Sequence, residues 1–553
     1  MQRPLAAPTV EPQPLPARDT SWRDAGDAFL TSRRLLLALV VLGVALRIAQ
    51  YASDRSLWID EAWIALNLIE KPFSALTGRL DFNQAAPVGF LLVEGAAAKL
   101  IGYGEKTLRL FPLVCGVASV PCFAWLARRA LARAAAPLAV LLFAVADALI
   151  YYSAELKPYE TDVAATVALL ALGIVLTEQD LRPRAAVGIA IGGALLITLS
   201  YPALFMLVAV AAALLTRGLT ERGRSHTTMS IVLAVWAAVA GPLIVLGSSR
   251  VDDVRHSFEG GSGGYLGVGG ASSPLHALNV MGSGLAAATG FPQQHPFSQL
   301  EKLALVCALV GAVSLARRSR SMALALVVPF VLLFAASGLR LYPITLRTEL
   351  FLVPPIVLLI AEGTHRLTRA VPRRWQLGAA VLLALVVAGG PVSLAARHVV
   401  HPRTHEELKP VLEYVQGHWH PGDTLYVHNG AQYAFVYYEE CRCMHLSLWP
   451  IRTLTGQHEQ FAQAAVPLTR YLVLGKYFGT DYDRYLTDLD RIRGRCNVWF
   501  MYSHANSATE EAFIRTKLLP YLDTLGTRDA GIDEPGAHAY RYRLKGGDGC
   551  RAG

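Results

Sequence analysis

Two adjacent carboxylates, Asp60 and Glu61, sit in the run Leu57-Trp58-Ile59-Asp60-Glu61-Ala62-Trp63. A carboxylate at a membrane surface can accept a proton from a hydroxyl nucleophile. The flanking Trp58 and Trp63 suit the aromatic belt of such a surface. The same pair would also serve as two hydrated loop acids, with Asp60 capping a helix. A second set lies in Tyr151-Tyr152-Ser153-Ala154-Glu155-Leu156-Lys157-Pro158-Tyr159-Glu160. There Lys157 is a compact cation able to meet a phosphate, or to pair with Glu155. A third set, Arg340-Leu341-Tyr342-Pro343-Ile344-Thr345-Leu346-Arg347-Thr348-Glu349, adds two guanidinium groups. Clustered, Lys157, Arg340 and Arg347 would bind an anion; paired with Asp60, Glu61, Glu155 and Glu349 they would be structural ion pairs.

The composition says what kind of scaffold must hold these groups. Of 553 residues, 53% are hydrophobic and 17% charged, where soluble chains average about 25% charged. Mean hydropathy is +0.37. In water such a chain would expose large apolar patches. The expected fold class is therefore an α-helical polytopic membrane protein with a small C-terminal α/β domain. Apolar runs place eleven spans near 34–51, 107–127, 134–153, 158–177, 185–200, 202–216, 228–247, 301–316, 321–338, 350–364 and 377–396. A span needs about 20 apolar residues, fewer when buried among other helices. Pro202 divides the long uncharged stretch 185–216.

The net charge of +9 does not point to nucleic acid once its distribution is read. Arginine clusters fall at 33–34, 128–133, 182–184, 217–224, 317–320 and 366–374. With eleven spans all of them lie on one side, the cytoplasmic one. Counting 86–101 as a span would move every later cluster outside. That segment is instead expected to be an amphipathic helix on the outer surface, with Glu94 and Lys99 at the interface. The N-terminus is then cytoplasmic and the C-terminus outside, in a multi-pass plasma (inner) membrane protein.

Three regions follow. Residues 1–33 begin with a Pro-, Ala- and Arg-rich stretch that has no apolar run before a cleavage site, and read as a disordered cytoplasmic tail. Residues 34–396 form the membrane domain. It includes an outer loop 52–106 carrying the acids and a Gly-rich outer loop 248–300, either a lid or a plain connector. Residues 397–553 form the outward domain, with helices at 406–419 and 510–522 and strands at 424–428, 471–474 and 497–503. Cys115, Cys122 and Cys307 lie in spans as small apolar residues. Cys441 and Cys443 are expected to pair with Cys496 and Cys550 in either order, not with each other.

Four motifs, Leu57-Trp58-x-Asp60-Glu61-Ala62, Gln84-Ala85-Ala86-Pro87, Glu105-x-x-x-Arg109-Leu110-Phe111-Pro112 and Glu155-x-Lys157-Pro158-Tyr159, together resemble the C-type (GT-C) glycosyltransferases. The branch with protein O-mannosyltransferases and lipid A aminoarabinose transferases is the most similar. The resemblance spans roughly residues 34–395 and implies a polyprenyl-phosphate sugar donor, an extracytoplasmic site and inversion at the anomeric carbon. It implies Asp60 as general base with Glu61 beside it, and Lys157 near the donor phosphate, where relatives often carry Arg. Arg347 and Arg340 join Lys157 as candidate phosphate ligands; Gln84, Glu155, Tyr159 and Tyr342 are candidates for contacting substrate. The usual paired proline after the glutamine is Ala86-Pro87 here. Some relatives use a divalent metal and others none, and no ligand set in this sequence compels one. The expected partners are the lipid-linked donor and an extracytoplasmic acceptor, whether protein, lipid or polysaccharide. Two other readings compete. A transporter or flippase would need ionisable groups deep in spans, and Asp147 is the one such group noted. A non-catalytic envelope scaffold leaves Asp60, Glu61 and Lys157 unexplained.

Overall fold

The computed structural model describes residues 32–178, 182–220, 226–259, 264–266, 274–290, 299–441, 443, 471–505 and 507–545. Residues 1–31 of the expected N-terminal tail, Arg222, Arg224, most of the loop glycines and Cys550 lie outside these residues.

Each apolar run forms helix. Arg33–Ala52 starts at Ser32, whose hydroxyl accepts the Leu35 N–H at 3.1 Å, the role of an N-cap. Ser319 begins Arg320–Gly338 in the same way. Leu110–Ala130, Tyr159–Glu178, Pro183–Leu199, Ala203–Thr220, His226–Glu259, Gln299–Arg318, Val353–Ala370 and Gln376–Val400 complete the set. Among the described residues, seven helical segments are long and apolar enough to cross a membrane, and Pro183–Leu199 and Ala203–Arg217 are shorter apolar helices. The chain is thus a multi-pass membrane protein. Gln299–Arg318 and Val353–Ala370 approach so closely that a Cβ on Gly363 would lie 1.7 Å from the Cys307 carbonyl oxygen; small residues permit such helix contacts.

The run 134–153 is not one helix. It divides into Ala136–Ala144 and Asp147–Tyr152. A break frees backbone carbonyls that must find donors. Arg47 supplies them, with Nη1 donating to Ala144 O at 3.4 Å and Nη2 to Phe143 O at 3.5 Å. Asp147 opens the second piece and is tied to His398 (2.5 Å) and Arg403 (3.0 Å). The acid that a transport reading would use is thereby engaged in joining the membrane helices to the C-terminal domain.

Both outer loops hold more helix than expected. The first contains Ile59–Glu70, a 3₁₀ turn Phe73–Thr77 and Val88–Ile101. Val88–Ile101 occupies the segment predicted to lie at the interface, but Glu94 is fully buried. At the next position, the missing side chain of Gly95 lets the helix press against Leu76 and Phe73. Lys99 is exposed, with Nζ 5.1 Å from the Phe73 ring centroid. In the second loop, His226–Glu259 runs past its expected end and Pro274–Thr289 is a further helix.

The C-terminal domain is built on a five-stranded sheet in the order β2-β1-β3-β5-β4. Strand β1 (Thr424–Val427) pairs in parallel with β2 (Leu472–Leu474) and β3 (Asn497–Ser503). Strands β4 (Gly526–Glu534) and β5 (Ala537–Leu544) form an antiparallel hairpin joined to β3. Helix Leu408–Gly417 lies against that hairpin, and Gln432–Glu440 lies against the membrane-surface helix Ile59–Glu70. The cysteine expectation is overturned: Cys441 and Cys443 are bonded to each other. The chain leaves the helix Gln432–Glu440 at Cys441 and turns so that the two Cα atoms are 5.1 Å apart, within the range a disulfide spans.

Candidate active site

The helix Ile59–Glu70 places Asp60 and Glu61 in its first turn, where carboxylates are favoured by the helix dipole. A step of about 100° per residue points the two side chains in different directions. Asp60 faces a small group of cations. Arg347 Nη1 donates to its Oδ2, and Lys157 exerts the larger electrostatic pull on it. Burial alone would raise the Asp60 pKa, but Lys157 and then Arg347 outweigh it and hold the carboxylate below its ordinary value. Burial pushes Lys157 down, Asp60 pulls it up, and the net shift is downward. Lys157 Nζ donates to Gln84 Oε1 at 2.8 Å. Gln84 follows Phe82 (φ 62°) and Asn83 (φ 51°), two consecutive left-handed residues, uncommon without glycine. Asn67 clamps that turn, accepting the Asp81 N–H at 2.8 Å and donating to the Asp81 carbonyl at 3.3 Å.

Glu61 has the opposite surroundings. Arg109 grips it with Nε at 2.8 Å and Nη2 at 2.5 Å, and the Leu156 N–H adds a third bond at 2.8 Å. Arg109 also donates to the carbonyls of Arg55 (2.6 Å) and Ser56 (2.9 Å). Glu61 is 0% exposed, and Arg109 holds it ionised against the cost of burial. The structure thus brings Asp60, Lys157, Arg347 and Gln84 together and sets Glu61 in a neighbouring, sealed pair.

The remaining predicted residues are dispersed around this centre. Glu155 is buried, accepts the Trp58 indole N–H at 2.9 Å, and is raised by burial and by the Glu61 charge. Tyr159 packs edge-on against Tyr152 at 5.2 Å. Tyr342 packs against Phe205 and Phe351. Arg340 is exposed in the turn after Arg320–Gly338, with a left-handed backbone (φ 57°); Arg347 is the one bonded to Asp60. Trp58 is buried rather than in a lipid-facing belt, stacked on His405 at 4.3 Å.

The residues around Asp60 do not make a metal cage. Its partners are cations, and among the described residues no three His, Cys, Asp or Glu side chains converge to hold an ion. Two kinds of site residue lack a local sequence signal. Arg109 stands in a quoted motif, but only the fold reveals its grip on Glu61. His405, Glu406 and His504 reach this region from the outward domain, hundreds of residues away in sequence, with no motif to mark them.

Residues 84–245 match the model of a family described as dolichyl-phosphate-mannose-protein mannosyltransferase. That segment includes Gln84, Arg109, Glu155, Lys157 and Tyr159 and stops outside Asp60 and Arg347. Over that segment, less than half of the chain, the protein is similar to this family. Comparison with curated proteins gives no match. Among solved structures, the oligosaccharyltransferase AglB from Archaeoglobus fulgidus, in complex with an inhibitory peptide and a dolichol-phosphate, is 12% identical, with 94% of this chain and 74% of that chain covered and a TM-score of 0.49. ArnT from Cupriavidus metallidurans bound to undecaprenyl phosphate is 14% identical, with 91% and 97% covered and a TM-score of 0.47.

Proposed function

We propose that this chain is a membrane glycosyltransferase that moves a sugar from a polyprenyl-phosphate donor to an acceptor hydroxyl outside the membrane, inverting the anomeric carbon. The observation that carries the reading is the group of buried Asp60 and Lys157 with the partly exposed Arg347. One carboxylate and two cations leave one positive charge in excess. A polyprenyl-phosphate sugar is a phosphodiester with one negative charge, which would balance it. The family matched over residues 84–245 is named for a donor of this class.

In this reading the phosphate draws Arg347 and Lys157 towards itself. Asp60 then loses the charges that depress its pKa and becomes a stronger base. It takes the acceptor hydroxyl proton as the oxygen attacks the anomeric carbon through an oxocarbenium-like transition state. Negative charge grows on the departing polyprenyl phosphate, where the two cations stabilise it. The site faces the extracytoplasmic side, with the arginine-rich loops on the cytoplasmic side.

The test is release of polyprenyl phosphate, read by mass spectrometry, from the purified protein in proteoliposomes. The probe is the polyprenyl-phosphate-sugar fraction of host membranes, with envelope extract from a deletion strain as acceptor. Wild type should turn over and a folded, inserted Asp60→Asn variant should not. Equal turnover by the two would sink the assignment.

A further inference from the structure

The helix bearing Asp60 is not capped by its own residues. Trp58 occupies the N-cap position and provides no side-chain hydrogen bond. The backbone N–H groups leading into Asp60 are instead taken by the outward domain. Glu407 Oε2 accepts the Ser56 N–H at 3.0 Å, the Tyr438 hydroxyl accepts the Leu57 N–H at 2.9 Å, and Glu406 Oε2 accepts the Ile59 N–H at 3.2 Å. Glu406 is the acceptor adjacent to Asp60. Its other oxygen meets His504 Nδ1 at 2.6 Å. His504 follows directly after β3 and has a left-handed backbone, φ 50°, a conformation that surrounding structure must enforce. Gly430 supports it: a Cβ there would lie 2.4 Å from the His504 carbonyl oxygen. His405 stacks on Trp58 from the same side.

We propose that Glu406, oriented by His504, is a positioning residue for Asp60, so that the outward domain sets the aim of the catalytic carboxylate. The inference rests on Asp60 being the base. Glu406 acts through the Ile59 N–H, one residue before Asp60, and its carboxylate lies at a helix N-terminus, where negative charge is favoured. The charged or titratable groups facing this pair are His405, Asp60 and Glu510. A displacement of about 1 Å at a reacting group can cost about 10²-fold in rate.

The assay above, run on full-length variants, separates the outcomes. Glu406→Ala should lower kcat by about 10²-fold with the donor KM unchanged. Glu406→Gln should restore kcat, since its amide oxygen can accept the Ile59 N–H and its amide N–H can meet His504. Full kcat in Glu406→Ala overturns the inference, as does a loss that Glu406→Gln fails to rescue. If Glu406→Ala does not fold, Glu406→Asp replaces it. The shorter carboxylate cannot span both partners, so kcat below that of Glu406→Gln supports positioning and kcat equal to it refutes it. Turnover by Asp60→Asn would defeat the proposed function itself, whereas an inactive Asp60→Asn beside a fully active Glu406→Ala defeats this inference alone.

Discussion

Asp60 and Glu61 are neighbours on one helix turn, yet the structure gives them different lives. The Glu61 side is a closed lattice: a two-pronged Arg109, the Leu156 N–H, and two carbonyls that accept from other Arg109 donors. The Asp60 side is open. Its carboxylate side chain is 12% exposed, and its partner Arg347 is 30% exposed. A fully buried carboxylate tied to three buried donors has no ready route to release. One held by cations that a phosphate can recruit does. In the proposed function, partners and not residue type divide the two acids into a structural one and a reactive one.

The contrast can be broken most sharply at Asp60. Asp60→Asn should cost about 10²–10⁴-fold in transfer, the span of general-base effects, while unfolding temperature stays near that of wild type. Glu61→Gln should do the reverse. It leaves the Arg109 charge buried without its counter-ion, an effect of about 3–5 kcal/mol, read as a lower unfolding temperature in detergent with the folded fraction still active. A stable but inactive Glu61→Gln protein would erase the distinction. Lys157→Ala should reduce donor use by about 10²–10³-fold, by analogy with loss of an oxyanion donor, and affect acceptor use less. Equal losses for donor and acceptor would argue against a phosphate role.

The smallest effect concerns the outward domain. Burial alone would lower the His504 pKa, but its hydrogen bond and charge interaction with Glu406 prevail and raise it. A raised folded-state value means the pair stabilises fully below the ordinary imidazole value of about 6.5 and loses that contribution as pH rises through the folded value. The unfolding temperature of wild type should exceed that of His504→Gln at about pH 6, and the gap should narrow at about pH 9. A gap that widens with pH would contradict the assigned direction.

Much of the fold was legible because hydrophobicity and local signals are written in consecutive residues. The apolar runs marked the helices, and Pro202 marked the reversal between Pro183–Leu199 and Ala203–Thr220. Strand β3 spans the predicted residues, Asn497–Ser503. Expectations failed where packing overrode local pattern. Glu94, expected at the interface, is buried by the packing of its helix. The run 134–153 breaks where Arg47 can satisfy the freed carbonyls. Cys441 pairs with Cys443 because the chain turns at a helix end.

By itself, the sequence determined that the chain spans a membrane, that a C-terminal α/β domain follows, and that Asp60, Glu61, Lys157 and Arg347 could carry chemistry. Those conclusions depend on composition, periodicity and charge, which need no knowledge of distant neighbours. Only the tertiary structure decided which acid meets which cation. Asp60 and Arg347 are 287 residues apart in sequence, Glu61 and Arg109 are 48 apart, and Glu406 lies 347 residues beyond Ile59. Electrostatic and hydrogen-bond energies depend on separations of a few ångströms, and those separations exist only once helices, loops and the outward domain have packed together.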